Sequence, residues 1–180
     1  MKDIILIGPV AVGKSTTAKI LAERLGIPRI AMDDLRLDYY REIGYSDEHR
    51  LELKRINGQK AVEQYWSIFD PHAIERILAD HKNCVFDFGG GSTVCEYDFN
   101  FERMEAALAP YPNVVFLIPS ADKKESLDII YERMGITPTG FTMMEYFVYN
   151  DASARLAKKT VYVKNKSPEQ VTDEVLSITE

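Results

Sequence analysis

The chain has 180 residues, 46% hydrophobic and 28% charged, with a net charge of −6, the length of one domain and apolar enough for a full core. The acidic balance and the lack of a basic tract exclude duplex nucleic acid as a main partner, because phosphate-backbone binding needs a positive face. Cys84 and Cys95 lack metal-ligand spacing, no stretch is long enough to span a bilayer, and Met1-Lys2-Asp3 runs straight into a strand, so a cytoplasmic protein in a reducing compartment, without membrane contact or signal peptide, is expected.

In chain order, DIILIG is a short apolar run bounded by glycine, a buried strand. STTAKILAERLG follows with Ala18, Leu21, Ala22 and Leu25 on one helical face and Gly26 as its stop. PRIAM is a second strand. The stretch from Asp34 to about Asp80 is polar, mostly helical and too long for a simple crossover, so it reads as an inserted cap. NCVFDF is a third strand ending in Gly89-Gly90-Gly91, and FNFERMEAALAPYP is a helix. NVVFLIP is a fourth strand, followed by SADKKESLDIIYERMG, a helix with Ser120 as its expected cap. MMEYFVYNDASARLAKK reads as helical, TVYVKN as a fifth strand, and SPEQVTDEVLSI as a last helix capped by Ser167 with Pro168 in its first turn. Strands alternating with helices predict a three-layer α/β/α fold with a five-stranded parallel sheet. Cys84, inside an apolar run, is expected to be a buried small hydrophobe.

Gly8 to Ser15, GPVAVGKS, matches the phosphate-binding pattern G-x-x-x-x-G-K-[ST], between an apolar strand and an amphipathic helix. In that setting backbone N–H groups converge at the positive end of a helix dipole and hold an anion. Gly8, Ala11, Val12, Gly13, Lys14, Ser15 and Thr16 are therefore expected to bind nucleotide. Lys14 should stand exposed to the phosphates, and the Ser15 hydroxyl should ligate Mg²⁺. Asp87 ends the third apolar run, where an acid either contacts Mg²⁺ through water or is satisfied by backbone donors. Asp33 and Asp34 follow the second strand: one is placed to accept a proton from an attacking hydroxyl, the other to cap the next helix, and Asp33 is the expected base. Gly89, Gly90 and Gly91 leave bare backbone for a substrate to touch. Arg36, Arg41, Arg50 and Arg55 read as solvated helix charges rather than substrate contacts, and Trp66 as core rather than a stacking platform.

Together these residues resemble the shikimate kinase branch of the P-loop kinases. LGIPRIAMD aligns without gaps on that family's L-G-four residues-D-x-D segment, and the triple glycine on its substrate-contact loop. VVFLIPSADKKESLDIIYERM resembles the strand and helix that end in a lid arginine, here Arg133, and LAKKTVYVKNKSPEQVTDEVL the final strand, adenine-side loop and last helix, with Lys166 and Pro168. The resemblance implies an ATP- and Mg²⁺-dependent kinase acting on a hydroxyl of a small polar metabolite. Lys14, Asp33 and Arg133 would be its catalytic residues, Asp33, Asp34 and the three glycines its acceptor contacts, residues 34–80 an acceptor cap and residues 134–143 a lid. The chain departs from the pattern at the first acid of D-x-D, here Ala31, and at both acceptor-gripping arginines: Glu63 stands nearest one and Tyr149-Asn150 nearest the other, with Arg155 a few residues on. A paired arginine grip on a carboxylate is not replaced by these residues, so shikimate is not the expected acceptor. A nucleoside or nucleotide kinase, an ATP-binding switch and a non-catalytic paralogue are the alternatives, as a monomer or homodimer.

Overall fold

Each apolar run read as a strand is one. β1 (Ile4–Ile7), β2 (Arg29–Ala31), β3 (Val85–Asp87), β4 (Val114–Ile118) and β5 (Lys159–Tyr162) form a parallel sheet in the order β2-β3-β1-β4-β5. The computed structural model describes residues 3–95, 97–140 and 142–179.

The inner strands β1 and β4 are apolar on both faces because both faces are covered. Ile4 and Leu6 enter one core with Val115 and Leu117, under α1 (Lys14–Leu25), α6 (Lys123–Met134) and α9 (Pro168–Ile178). Ile5 and Ile7 enter the other with Phe86, Phe116 and Ile118, under α2 (Met32–Arg41), α4 (Asp70–Asp80), α5 (Asp98–Leu108) and α8 (Ala152–Leu156). The period-two alternation of a strand is thus expressed as a choice between two cores. Each fully buried Leu or Ile contributes about 1.5–3 kcal/mol of transfer free energy. Cys84 and Cys95 are both free and buried. No helix among the described residues is long and apolar enough to cross a membrane.

Between β2 and β3 lie α2, α3 (Asp47–Ser67) and α4. α3 is interrupted at Gly58, whose φ of 76° and ψ of −169° leave the helical region. The stretch after residue 142 is two helices, not one: α7 (Met143–Tyr149) ends where Asn150 turns extended and its side chain accepts the Ala152 N–H at 2.9 Å, the local competition with helix that asparagine favours. The cap of α6 is Asp122, whose carboxylate accepts the Glu125 N–H, and not Ser120. Ser167 caps α9 as expected, in a reciprocal box with Gln170 and with Pro168 in the first turn.

The register sets the functional geometry. Leu6 on β1 and Ala31 on β2 are both level with Asp87 on β3. Two residues beyond each lie Gly8, Asp33 and Gly89, so the phosphate-binding motif, the aspartate pair and the glycine run leave the sheet at the same carboxyl edge. In parallel sheets of this kind ligands bind at that edge, where the strand order reverses.

Candidate active site

A cleft of about 260 Å³ opens there, lined by Val10, Ala11, Gly13, Lys14, Ser15, Thr16, Asp33, Asp87, Phe88, Gly89 and Gly90. α1 begins at its floor. Gly13 is the N-cap, left-handed at φ 92°, with no side chain on the first-turn N–H groups and no acid in that turn. α6, α7 and α9 all have side-chain caps. The N–H groups of α1 are left to face the cleft, the arrangement that binds an anion. Gly8 does not line the cleft. Its φ is 137°, and a Cβ there would land on the Leu117 carbonyl of β4, so its task is to let the loop leave the sheet.

Lys14 corrects one expectation: it is 7% exposed, and its ammonium donates to the Pro9 carbonyl at 2.7 Å. Burial lowers its pKa to about 8, against the opposing pull of Asp87 and Asp33. Lys14 nonetheless lines the cleft. Ser15 and Thr16 are exposed at the start of α1.

Asp87 is 3% exposed in its side chain, and the Arg29 guanidinium holds one of its oxygens at 2.5 Å. Sequence reading did not single out Arg29; its signal is its place two residues before Ala31 on the same face of β2. Ser15 and the other Asp87 oxygen are hard-oxygen donors in one cleft, and no group of three or more His, Cys, Asp or Glu able to cage a metal occurs among the described residues. So sparse a set suits Mg²⁺, which keeps its waters and takes phosphate oxygens.

Neither aspartate caps α2. Ala31 is the N-cap, and Asp33 and Asp34 sit inside the first turn, where the helix dipole favours a negative charge. Asp33 lines the cleft and Asp34 does not. Arg36, one turn later, pairs with Asp33 at 3.4 Å. It is not the solvated charge expected: its side chain is 19% exposed and its guanidinium lies 4.4 Å over the Trp66 ring. Trp66 packs against the core, as expected, and also carries this protein cation on its ring. Beneath it the Tyr40 hydroxyl donates to the fully buried Asp70, whose pKa burial raises to about 8. Arg41 and Arg50 are surface charges held by Asp38 and Asp47, and Arg55 is exposed, as expected.

The glycine run is required by close approach. A Cβ at Gly89 would sit 2.7 Å from Asp33 Oδ1, one at Gly90 2.7 Å from the Val10 backbone nitrogen, and one at Gly91 3.2 Å from Glu63 Oε2 and 3.1 Å from the Phe147 ring. The run is wedged between the phosphate-binding loop on one side and Asp33 and Glu63 on the other. Gly91 lies beyond the lining of the cleft itself.

A second cavity of about 190 Å³ shares Gly13 and Thr16 with the first and is closed by Val12, Thr17, Arg133, Val163, Lys166, Pro168 and Val171. Arg133 donates to the Ala11 carbonyl at 3.2 Å and the Val163 carbonyl at 3.5 Å, tying the end of α6 to the loop, while Lys166 pairs with Glu174. Of the segment 134–143, Phe141 lies outside the described residues. Arg155 is elsewhere: its guanidinium stacks 3.9 Å from the Phe101 ring and lines a separate cavity with Cys95 and Asn150.

No protein-family model matches the chain. A curated shikimate kinase of Persephonella marina is 36% identical over 91 residues, 51% of this chain and 49% of that protein, so the match spans about half that relative's length. One from Sulfurihydrogenibium sp. is 26% identical over 178 residues, 98% of this chain and 97% of that protein. Among solved structures, shikimate kinase from Acinetobacter baumannii in complex with shikimate superposes with a TM-score of 0.57 at 17% identity, over 99% of this chain and 90% of that one. A gluconokinase from Sinorhizobium meliloti 1021 gives a TM-score of 0.55 at 16% identity, over 98% of this chain and 90% of that one. The chain has the shikimate kinase-like P-loop phosphotransferase fold.

Proposed function

We propose that this protein is a cytoplasmic ATP-dependent kinase that transfers the γ-phosphoryl group to a hydroxyl of a small polar metabolite. The observation that carries the reading is the single cleft in which the uncapped start of α1, Lys14, Ser15, Asp87, Asp33 and the glycine run meet. The shikimate kinase and gluconokinase relatives support the reaction class.

The loop N–H groups and Lys14 bind the phosphates. A phosphate oxygen is a stronger acceptor than the Pro9 carbonyl, so Lys14 exchanges one for the other at small cost. Its charge then stabilises the negative charge that develops on the transferring group. Ser15 and Asp87 would hold Mg²⁺, which neutralises phosphate charge when bound. Asp33, beside the glycine run, accepts the proton of the acceptor hydroxyl. Arg133, already over the loop, faces the transferring group from the other side, and residues 134–143 close as a lid that excludes water. The second cavity, with Lys166 and Pro168, receives the base of the nucleotide. The three-helix insertion between β2 and β3 shapes the acceptor end.

The test is ADP formation with and without a metabolite panel, for wild type, Asp33→Asn and Asp34→Asn. Acceptor-dependent ADP should form, and Asp33→Asn should lower turnover by about 10² or more while Asp34→Asn does much less. ADP formation that ignores every acceptor would instead mark a slow hydrolase or switch. A larger loss at Asp34 would reassign the base.

A further inference from the structure

At the glycine-run end of the cleft, and beyond its lining, stands charge that the reaction does not explain. On the far side of the glycine run stand Asp33 at Gly89, Glu63 at Gly91, and Arg36 between them in sequence, paired with Asp33 and laid on Trp66. Glu63 is half-buried, accepts a hydrogen bond from Gln59 at 2.8 Å, and has no ion-pair partner among the described residues.

Four arginines that could grip an anionic acceptor are engaged elsewhere. Arg29 holds Asp87, Arg133 holds the Ala11 and Val163 carbonyls, Arg155 is stacked on Phe101 in another cavity, and Arg41 is bound to Asp38 and Asp47. Arg36 lies on Trp66 and already spends part of its in-plane N–H edge on Asp33, through Nε, and on the Tyr40 hydroxyl. A carboxylate or phosphate on the acceptor would meet two carboxylates and one guanidinium already in use. A hydroxyl suits the same wall: it donates to Glu63 and accepts from the edge of Arg36.

We infer that the acceptor is a non-anionic, hydroxyl-rich small molecule, selected by Glu63 and Arg36 against its acidic counterparts. The inference rests on the kinase reading. Glu63 is the specificity-determining residue, repelling an acid and receiving a hydroxyl or an amine. Arg36 is a positioning residue for Asp33, with Trp66 as its support.

The experiment uses matched acceptors that share a skeleton: sugars with their aldonic and uronic acids and amino sugars, cyclitols with cyclic hydroxy acids, and nucleosides with their monophosphates. ADP formation is measured for wild type and Glu63→Gln, and melting with MgATP is recorded for both. Turnover should fall on non-anionic members, with kcat/KM at least about tenfold above the acid of the same set. Glu63→Gln should narrow that ratio by about tenfold through a gain on the acid, the size of one like-charge contact near a protein surface. Preference for the acid, no turnover of any non-anionic member, or an unchanged ratio in Glu63→Gln overturns the inference. If MgATP still raises the melting temperature in those cases, the nucleotide reading survives; if it does not, that reading falls as well.

Discussion

Gly90→Ala should damage the nucleotide side of the cleft and Gly89→Ala the acceptor side, although the two residues are adjacent. At Gly90 the new methyl group would lie 2.7 Å from the Val10 backbone nitrogen and 3.1 Å from its Cα. Backbone cannot swing aside, so the phosphate-binding loop must shift, at the 1–3 kcal/mol typical of overpacking. At about 3 °C per kcal/mol for a chain of this size, melting falls by roughly 3–9 °C, and the nucleotide-dependent rise in melting temperature shrinks with it. At Gly89 the methyl group meets Asp33 Oδ1 at 2.7 Å, the far end of a side chain that is 62% exposed. Asp33 can rotate away cheaply, so melting and ATP binding hold. The expected base is displaced, however, and turnover falls by about tenfold to a hundredfold, the scale of an ångström-sized misplacement. Differential scanning fluorimetry with and without MgATP, beside ADP formation, reads both. Wild-type melting and a wild-type ATP response in Gly90→Ala would refute the wedge geometry.

Lys14 should gain a proton when ATP binds at pH 8: its pKa of about 8 leaves it half neutral there, and phosphate beside it raises that value. Calorimetry in buffers of different ionisation enthalpy should show an uptake of about half a proton. Lys14→Arg should remove it, and no uptake in wild type would contradict the buried pose. Asp70 should make stability fall as pH rises from about 4 to 8, because its folded pKa, raised to about 8, keeps a proton that the unfolded chain has released. Asp70→Asn should flatten that part of the melting profile, and an equal slope in both proteins would count against the burial argument. Shikimate should be a poor substrate, by at least about a hundredfold for two lost charged hydrogen-bonding groups; saturation at sub-millimolar shikimate in a coupled ADP assay would contradict it.

What could be read in the sequence and what could not divides along a physical line. The phosphate-binding loop, the strands and the glycine run are local patterns: apolar runs of strand length, a spaced motif, and residues whose backbone freedom or small size is itself the signal. Side-chain pairings across elements are not local. Nothing in PRIAMDD shows that Arg29 reaches Asp87 on the neighbouring strand, since that depends on the register of β2 against β3. Arg36 read as one more helix charge because the face it presents is decided by Trp66, thirty positions away. Lys14 was expected in the open because the motif specifies its presence and not the Pro9 carbonyl it rests on. One aspartate of the pair is expected to cap α2 because capping preferences are strong at that residue type, but the helix already starts at Met32, with Ala31 as its N-cap, so both lie inside its first turn.

The most direct measurement of the central claim is the melting temperature of wild type and Lys14→Ala as MgATP is titrated. A ligand at a hundred times its Kd stabilises by about 2.7 kcal/mol, which for a chain of this size is a rise of about 5–10 °C. Wild type should show that rise, measured from its own melting temperature without nucleotide, and Lys14→Ala, measured from its own, should lose most of it. No rise in wild type at saturating MgATP would contradict the claim that this cleft binds ATP.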